Sequence, residues 1–165
     1  TEDMQELKRK LEIFNEFSVA TDRMLAGEYL DTEFEGKEIS AKDLDYIHEN
    51  KTGAYLKLCA RMGAILGGAT EKELEKITTY AEKIGLAFQI KDDILSEIGD
   101  EKITGKPVGN DKEKGKCTYV SEYGLEKAKE ILNLITNEAI LELEEFGQKA
   151  EFLQNLAKYI ETRNK

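Results

Sequence analysis

Proline occurs once in these 165 residues, histidine once, cysteine twice and tryptophan not at all. The near-absence of proline leaves long segments free to be helical, because an interior proline removes a backbone hydrogen bond and breaks the helix. Cys59 and Cys117 have no partner spacing, and His48 cannot complete a Cys/His zinc site with them, so free thiols are expected. No run approaches the roughly 18 apolar residues of a membrane span, and the opening TEDMQELKRK lacks the basic-then-apolar order of a signal peptide. Positive charge is also short. A formal net charge of -10 repels nucleic-acid phosphates, and no locally basic face offsets it, so nucleic acid is a poor partner. The chain reads as soluble and cytoplasmic.

What is present is 40% hydrophobic and 35% charged residues, rich in Glu, Lys and Leu. That composition favours long surface helices over sheets, and the length suits one domain with a core, so an all-α fold is expected. Leu7, Leu11, Phe14, Phe17 and Met24 or Leu25 recur at helical spacing, which predicts a first helix from Glu2 to about Leu30, broken at Asp31 to Gly36. Ser40 and Asp43 resemble a cap for a second helix running to Gly67-Gly68. An interior glycine costs about 1 kcal/mol against alanine, so a kink or close packing is expected at Gly53. Thr70 and Glu73 form a capping box for a third helix ending near Gly99, with Leu74, Ile77, Ala81, Ile84, Phe88, Leu95 and Ile98 on its face. Helical spacing returns after Ser121 and again around Phe152 to Ile160. Between them, residues 99–120 carry glycines, lysines and the only proline without periodicity, the mark of a flexible functional loop.

The sharpest local pattern is Phe88-Gln89-Ile90-Lys91-Asp92-Asp93-Ile94-Leu95-Ser96, where Gln89, one of the two aspartates and Ser96 share a helical face. Adjacent carboxylates near a helix C-terminus face its negative end and repel each other, an arrangement that a divalent cation relieves. Two solvated acids on an acidic protein are the bland alternative. A Ca²⁺ loop of the EF-hand kind is excluded, because counting from Asp92 puts Ile94 where an oxygen ligand is required. The 99–119 stretch holds five lysines, Lys106 and Lys116 among them, against four acids. Lysines beside carboxylates suit a Mg²⁺-bound polyphosphate, with a solvated loop as the other reading. His48 by itself receives no role.

The order FQIKDDILSEIGD, then Gly105-Lys106, then Gly109 to Asp111, then GKCTY at 115–119, resembles the second aspartate-rich region of the trans-prenyltransferases, bacterial farnesyl diphosphate synthases in particular. The resemblance extends through HENKTG at 48–53, AGEYLD at 26–31 and the final RNK at 163–165. It implies the C-terminal part of the isoprenoid-synthase helical bundle, with 1–165 as the C-terminal half of a polyprenyl synthase domain. It also implies a Mg²⁺-dependent enzyme that ionises an allylic diphosphate and couples it head-to-tail to isopentenyl diphosphate, releasing pyrophosphate. By the same resemblance Asp92 is the principal metal ligand and Asp93 a ligand through water or a support. Lys51 and Lys106 hold the allylic diphosphate, Thr52 and Gln89 face the developing cation, and Phe88 borders the isopentenyl substrate. Asp111 and Lys116 match the loop over the site, and Arg163 and Lys165 match the closing C-terminal segment. A homodimer built on long helices is implied too, with residues 2 to 30 as the partner face.

This chain departs from the family pattern at Ser96, where the DDxxD motif ends in Asp, at Ala26-Gly27-Glu28 in place of Gly-Gly-Gln, and at Val120 in place of a proline. The family's first DDxxD motif, with its isopentenyl diphosphate site, is not among the 165 residues. The chain is therefore expected to be part of a longer synthase and inactive alone. The competing expectation is a non-catalytic helical fragment or interaction subunit that keeps the fold.

Overall fold

The computed structural model describes residues 2–98 and 115–164. Most of the expected loop at 99–120 lies outside the described residues, as do Lys106, Asp111 and Lys165. All regular structure among the described residues is helical. Helix α1 spans Glu2–Glu33, α2 Ala41–His48, α3 Ala54–Leu66, α4 Glu71–Ile98, α5 Tyr119–Tyr123, α6 Leu125–Glu142 and α7 Glu151–Thr162. A single π turn, Glu49–Gly53, joins α2 to α3, and a short 3₁₀ stretch, Glu144–Ala150, joins α6 to α7.

The expected helix starts are built as capping boxes. Ser40 and Asp43 satisfy each other's exposed amides at the head of α2, and Thr70 and Glu73 do the same before α4. A further box, Thr118 with Ser121, starts α5. Tyr119 and Val120, expected in the loop, therefore open a helix instead.

Helix α4 is the axis of the domain. Its Ile77, Tyr80, Ala81, Ile84, Ala87, Ile90 and Ile94 are buried together with Ala128 and Leu132 of α6 and Ala157 and Ile160 of α7. Alanines at Ala87, Ala128, Ala139 and Ala157, all fully buried, let these helices approach closely. The sequence spacing places Ile98 on the inner face, yet it is 52% exposed as the last residue of α4, beyond the buried Ile90 and Ile94.

Helix α1 turns its apolar stripe away from the core. The residues that defined its periodicity, Leu7, Leu11, Phe14 and Leu25, point outward, with Phe14 71% exposed. The face that packs on the rest of the domain instead carries Ala20 and Gly27, together with Glu16, whose carboxylate pairs with Arg61 of α3. The helix also runs three residues past Leu30. No helix among the described residues is long and apolar enough to cross a membrane, and Cys59 and Cys117 are free.

Candidate active site

The distortion expected at Gly53 is the π turn, and it is held between two glycines. A Cβ on Gly27 of α1 would lie 2.4 Å from the Lys51 backbone nitrogen, and one on Gly85 of α4 would lie 2.8 Å from the Gly53 Cα. Both helices therefore press bare backbone against the widened turn, and only glycine permits that approach. π turns loosen the local ladder and occur often at functional positions. Here the turn carries Lys51 and Thr52, with Gln89 one helical turn beyond Gly85 on the facing side of α4.

Asp31 lies one turn beyond Gly27 on α1, and its Oδ2 accepts hydrogen bonds from both Lys51 Nζ and Lys116 Nζ at 2.7 Å. Glu28, one of the departures from the family pattern, adds a second carboxylate 3.3 Å from Lys51. Two ammonium groups from segments 65 residues apart thus converge on one carboxylate. Burial pushes the Asp31 carboxyl up, but the Lys116 and Lys51 hydrogen bonds outweigh it and hold the group below its ordinary 3.8. For Lys116 burial lowers the ammonium, and the hydrogen bonds and charges of Asp31 and Glu35 together outweigh that, leaving it raised. A depressed carboxylate contributes stability that is complete above its unfolded value and is lost as pH falls through the folded one. Asp31→Asn is therefore expected to cost about 1–2 kcal/mol at pH 7, a deficit that shrinks below the ordinary value of 3.8. Urea melts of the two proteins from pH 7 towards pH 3 check this; a pH-independent gap would contradict it.

On α4 the two adjacent aspartates diverge. Asp92 keeps 46% of its side chain exposed and pairs with Arg163, just beyond α7. Arg163 also lies over the Phe88 ring, 4.2 Å from its centroid, and donates to the Phe88 carbonyl at 3.2 Å. Asp93 is buried, and its Oδ2 accepts from His48 Nε2 at 3.0 Å and from the Tyr119 backbone N–H at 2.8 Å. A groove of about 710 Å³ opens beside this pair, lined in part by Asp93, Ser96, Glu97, Lys116 and Lys37.

The structure thus brings Phe88, Asp92 and Arg163 into one cluster and Lys51 with Lys116 into another, and it places Thr52 half-buried and Gln89 buried between the packed segments. Among the described residues no three His, Cys, Asp or Glu side chains stand close enough to form a metal cage. One open carboxylate suits Mg²⁺ nonetheless, because that ion is usually held by one or two carboxylates together with substrate phosphates and water. Sequence reasoning missed His48, Asp31 and Tyr119. Asp31 stood in the quoted AGEYLD string, and His48 lies one turn before Lys51, but neither carried a signal of its distant partner.

The model of the polyprenyl synthetase family matches residues 1–156. Geranylgeranyl pyrophosphate synthase 4 of Arabidopsis thaliana is 41% identical over 89% of this chain and 41% of its own length. Farnesyl diphosphate synthase of Bacillus subtilis is 39% identical over 80% of the chain and 45% of its own. Among solved structures, a geranyltransferase from Helicobacter pylori complexed with magnesium and isoprenyl diphosphate superposes with a TM-score of 0.76 at 26% identity. The superposition covers 93% of this chain and 51% of that one. The chain spans about half the length of the relatives it matches.

Proposed function

Because the chain belongs to the polyprenyl synthetase family, we propose that it carries the allylic diphosphate side of a short-chain trans-prenyl diphosphate synthase. That enzyme would join an allylic diphosphate to isopentenyl diphosphate with loss of pyrophosphate. The observation that carries this reading is the convergence of Lys51 and Lys116 on Asp31, with an outward carboxylate, Asp92, on α4. Lys51 and Lys116 supply ammonium groups that a diphosphate can take over from Asp31, and preorganised cations are most effective where negative charge develops on a leaving group. Asp92 would hold Mg²⁺ together with the diphosphate, and the ion would neutralise charge on the departing pyrophosphate. The magnesium and isoprenyl diphosphate in the Helicobacter pylori relative support this choice. Thr52 and Gln89 offer oxygen dipoles from opposite sides of the Gly53–Gly85 contact to a developing allylic cation. Arg163, lying over Phe88 and against Asp92, closes that end of the site against water.

The same reading has α1 pack on a second copy through its exposed apolar face, Leu7, Leu11, Phe14 and Leu25 included, to give a homodimer. It also holds that the remaining catalytic groups belong to sequence beyond these 165 residues, since no further Asp-Asp motif occurs in them. With geranyl and isopentenyl diphosphates and Mg²⁺, the purified 165-residue chain is accordingly expected to give no product while the full-length parent turns over. Rapid turnover by the short chain would show that the required parts have been misjudged.

A further inference from the structure

Where α1 ends, two ammonium groups stand against three carboxylates. Lys51 Nζ is 2.7 Å from Asp31 Oδ2 and 3.3 Å from Glu28 Oε2. Lys116 Nζ is 2.7 Å from the same Asp31 oxygen and 3.4 Å from Glu35 Oε1. Glu28 and Asp31 are three residues apart on one face of α1, so both reach the lysine that the π turn presents. The cluster therefore carries an excess of negative charge before any anion enters it.

The acids at Lys51 differ in what they contribute. Asp31, its side chain 19% exposed, bridges both lysines and so fixes where they stand. Glu28 has a side chain 55% exposed, and its one ion-pair partner among the described residues is Lys51. A contact that long and that open anchors little, and Lys51 keeps Asp31 without it. What Glu28 does supply is a negative charge beside the ammonium that a diphosphate has to reach. Its repulsion scales with the charge of the incoming anion. A free diphosphate meets it in full, whereas a bound divalent cation cancels much of the ligand's charge and with it much of the repulsion.

We infer that Glu28 is a specificity-determining residue, which biases the Lys51 site towards a cation-complexed diphosphate and against the free anion. The inference rests on the diphosphate-site reading above. Asp31 sets the position of Lys51, and Glu28 sets the charge state of the ligand that Lys51 accepts. With Lys51 gone the anion is no longer drawn within reach of Glu28, and the residue ceases to matter.

The test is calorimetric binding of inorganic pyrophosphate to the full-length parent, Glu28→Gln, Lys51→Met and the double variant, in EDTA and in saturating Mg²⁺ at matched ionic strength. Glutamine keeps the length of the side chain and removes its charge. Glu28→Gln is expected to tighten binding about fivefold in EDTA and by less than about twofold in Mg²⁺. Lys51→Met weakens binding about tenfold or more in both media, and in the double variant the gain from glutamine falls below about twofold. An equal gain in the two media, no gain in EDTA, or a gain undiminished without Lys51 would each overturn the inference. If the parent shows no binding in EDTA, measurable binding by Glu28→Gln there supports the inference and its absence rejects it. A loss in Lys51→Met beside a flat Glu28→Gln rejects the role of Glu28 alone. Parent-like affinity in Lys51→Met instead counts against the diphosphate-site reading, and the role of Glu28 goes with it.

Discussion

Asp92→Ala in the full-length parent is expected to lower turnover by about three orders of magnitude while the helical circular dichroism signal stays the same. The two halves of that expectation have separate causes. Asp92 is nearly half exposed, and its one ion-pair partner among the described residues is Arg163. Arg163, 9% exposed, keeps the Phe88 carbonyl and ring when Asp92 is removed, so the loss is that of one charged hydrogen bond, about 1–3 kcal/mol, and the helices persist. On the proposed function the enzyme would lose far more, because Asp92 would there hold a diphosphate-bound cation, with Asp93 turned inward to His48 and Tyr119. Turnover within tenfold of the parent would remove Asp92 from the site.

Gly27→Ala is expected to have the largest effect on stability. Alanine normally favours a helix by about 1 kcal/mol over glycine, so an ordinary helical glycine should gain from the change. At Gly27 the added methyl would meet the Lys51 nitrogen at 2.4 Å, the Asn50 carbonyl carbon at 2.8 Å and the Lys51 Cα at 2.9 Å. All three are backbone atoms that no rotamer change can move. Overpacking of this kind costs about 3 kcal/mol at the upper end of its usual range. Gly63 of α3 has nothing within 4 Å of its Cβ position and is the internal comparison. Gly63→Ala should raise the urea midpoint and Gly27→Ala should lower it. Shifts of the same sign would mean that α1 does not press on the turn as described.

The contrast between these two glycines shows where sequence reading succeeds and where it stops. Helix starts at Ser40 and Thr70 were legible because the groups that satisfy each cap lie three residues apart. The break in the ladder at Gly53 was legible because an interior glycine among apolar residues is a local anomaly. Gly27 was not, because its partner atoms belong to Asn50 and Lys51, far along the chain. Asp31 shows the same limit. It was read as the point where the first helix ends, yet α1 continues through it to Glu33, with Lys51 and Lys116 both bound to its carboxylate. The periodicity of α1 identified a helix correctly, and the face that meets the rest of these residues, with Ala20 and Gly27, carried no apolar signal of its own. Apolar spacing cannot say whether the surface it meets lies within these residues or elsewhere. For the site, the motif at 88–96 located α4's chemistry, but a string of two aspartates could not reveal that one turns outward and the other in.

The widened turn at Glu49–Gly53 bears on how this chain tolerates changes of length. A π turn absorbs one residue more than an α turn without rotating the helices on either side. Loss of a single residue within it would let the ladder close into an uninterrupted helix and leave Leu44 and Ile47 before it, and Leu58 and Ile65 after it, on their buried sides. A single-residue loss inside α3 instead would swing everything beyond it by about 100° and pull that core face apart. The spare residue is therefore dispensable to the architecture. What it maintains is the outward step of backbone that seats Lys51, the lysine to which the proposed function gives the diphosphate, against Gly27 and beside Asp31.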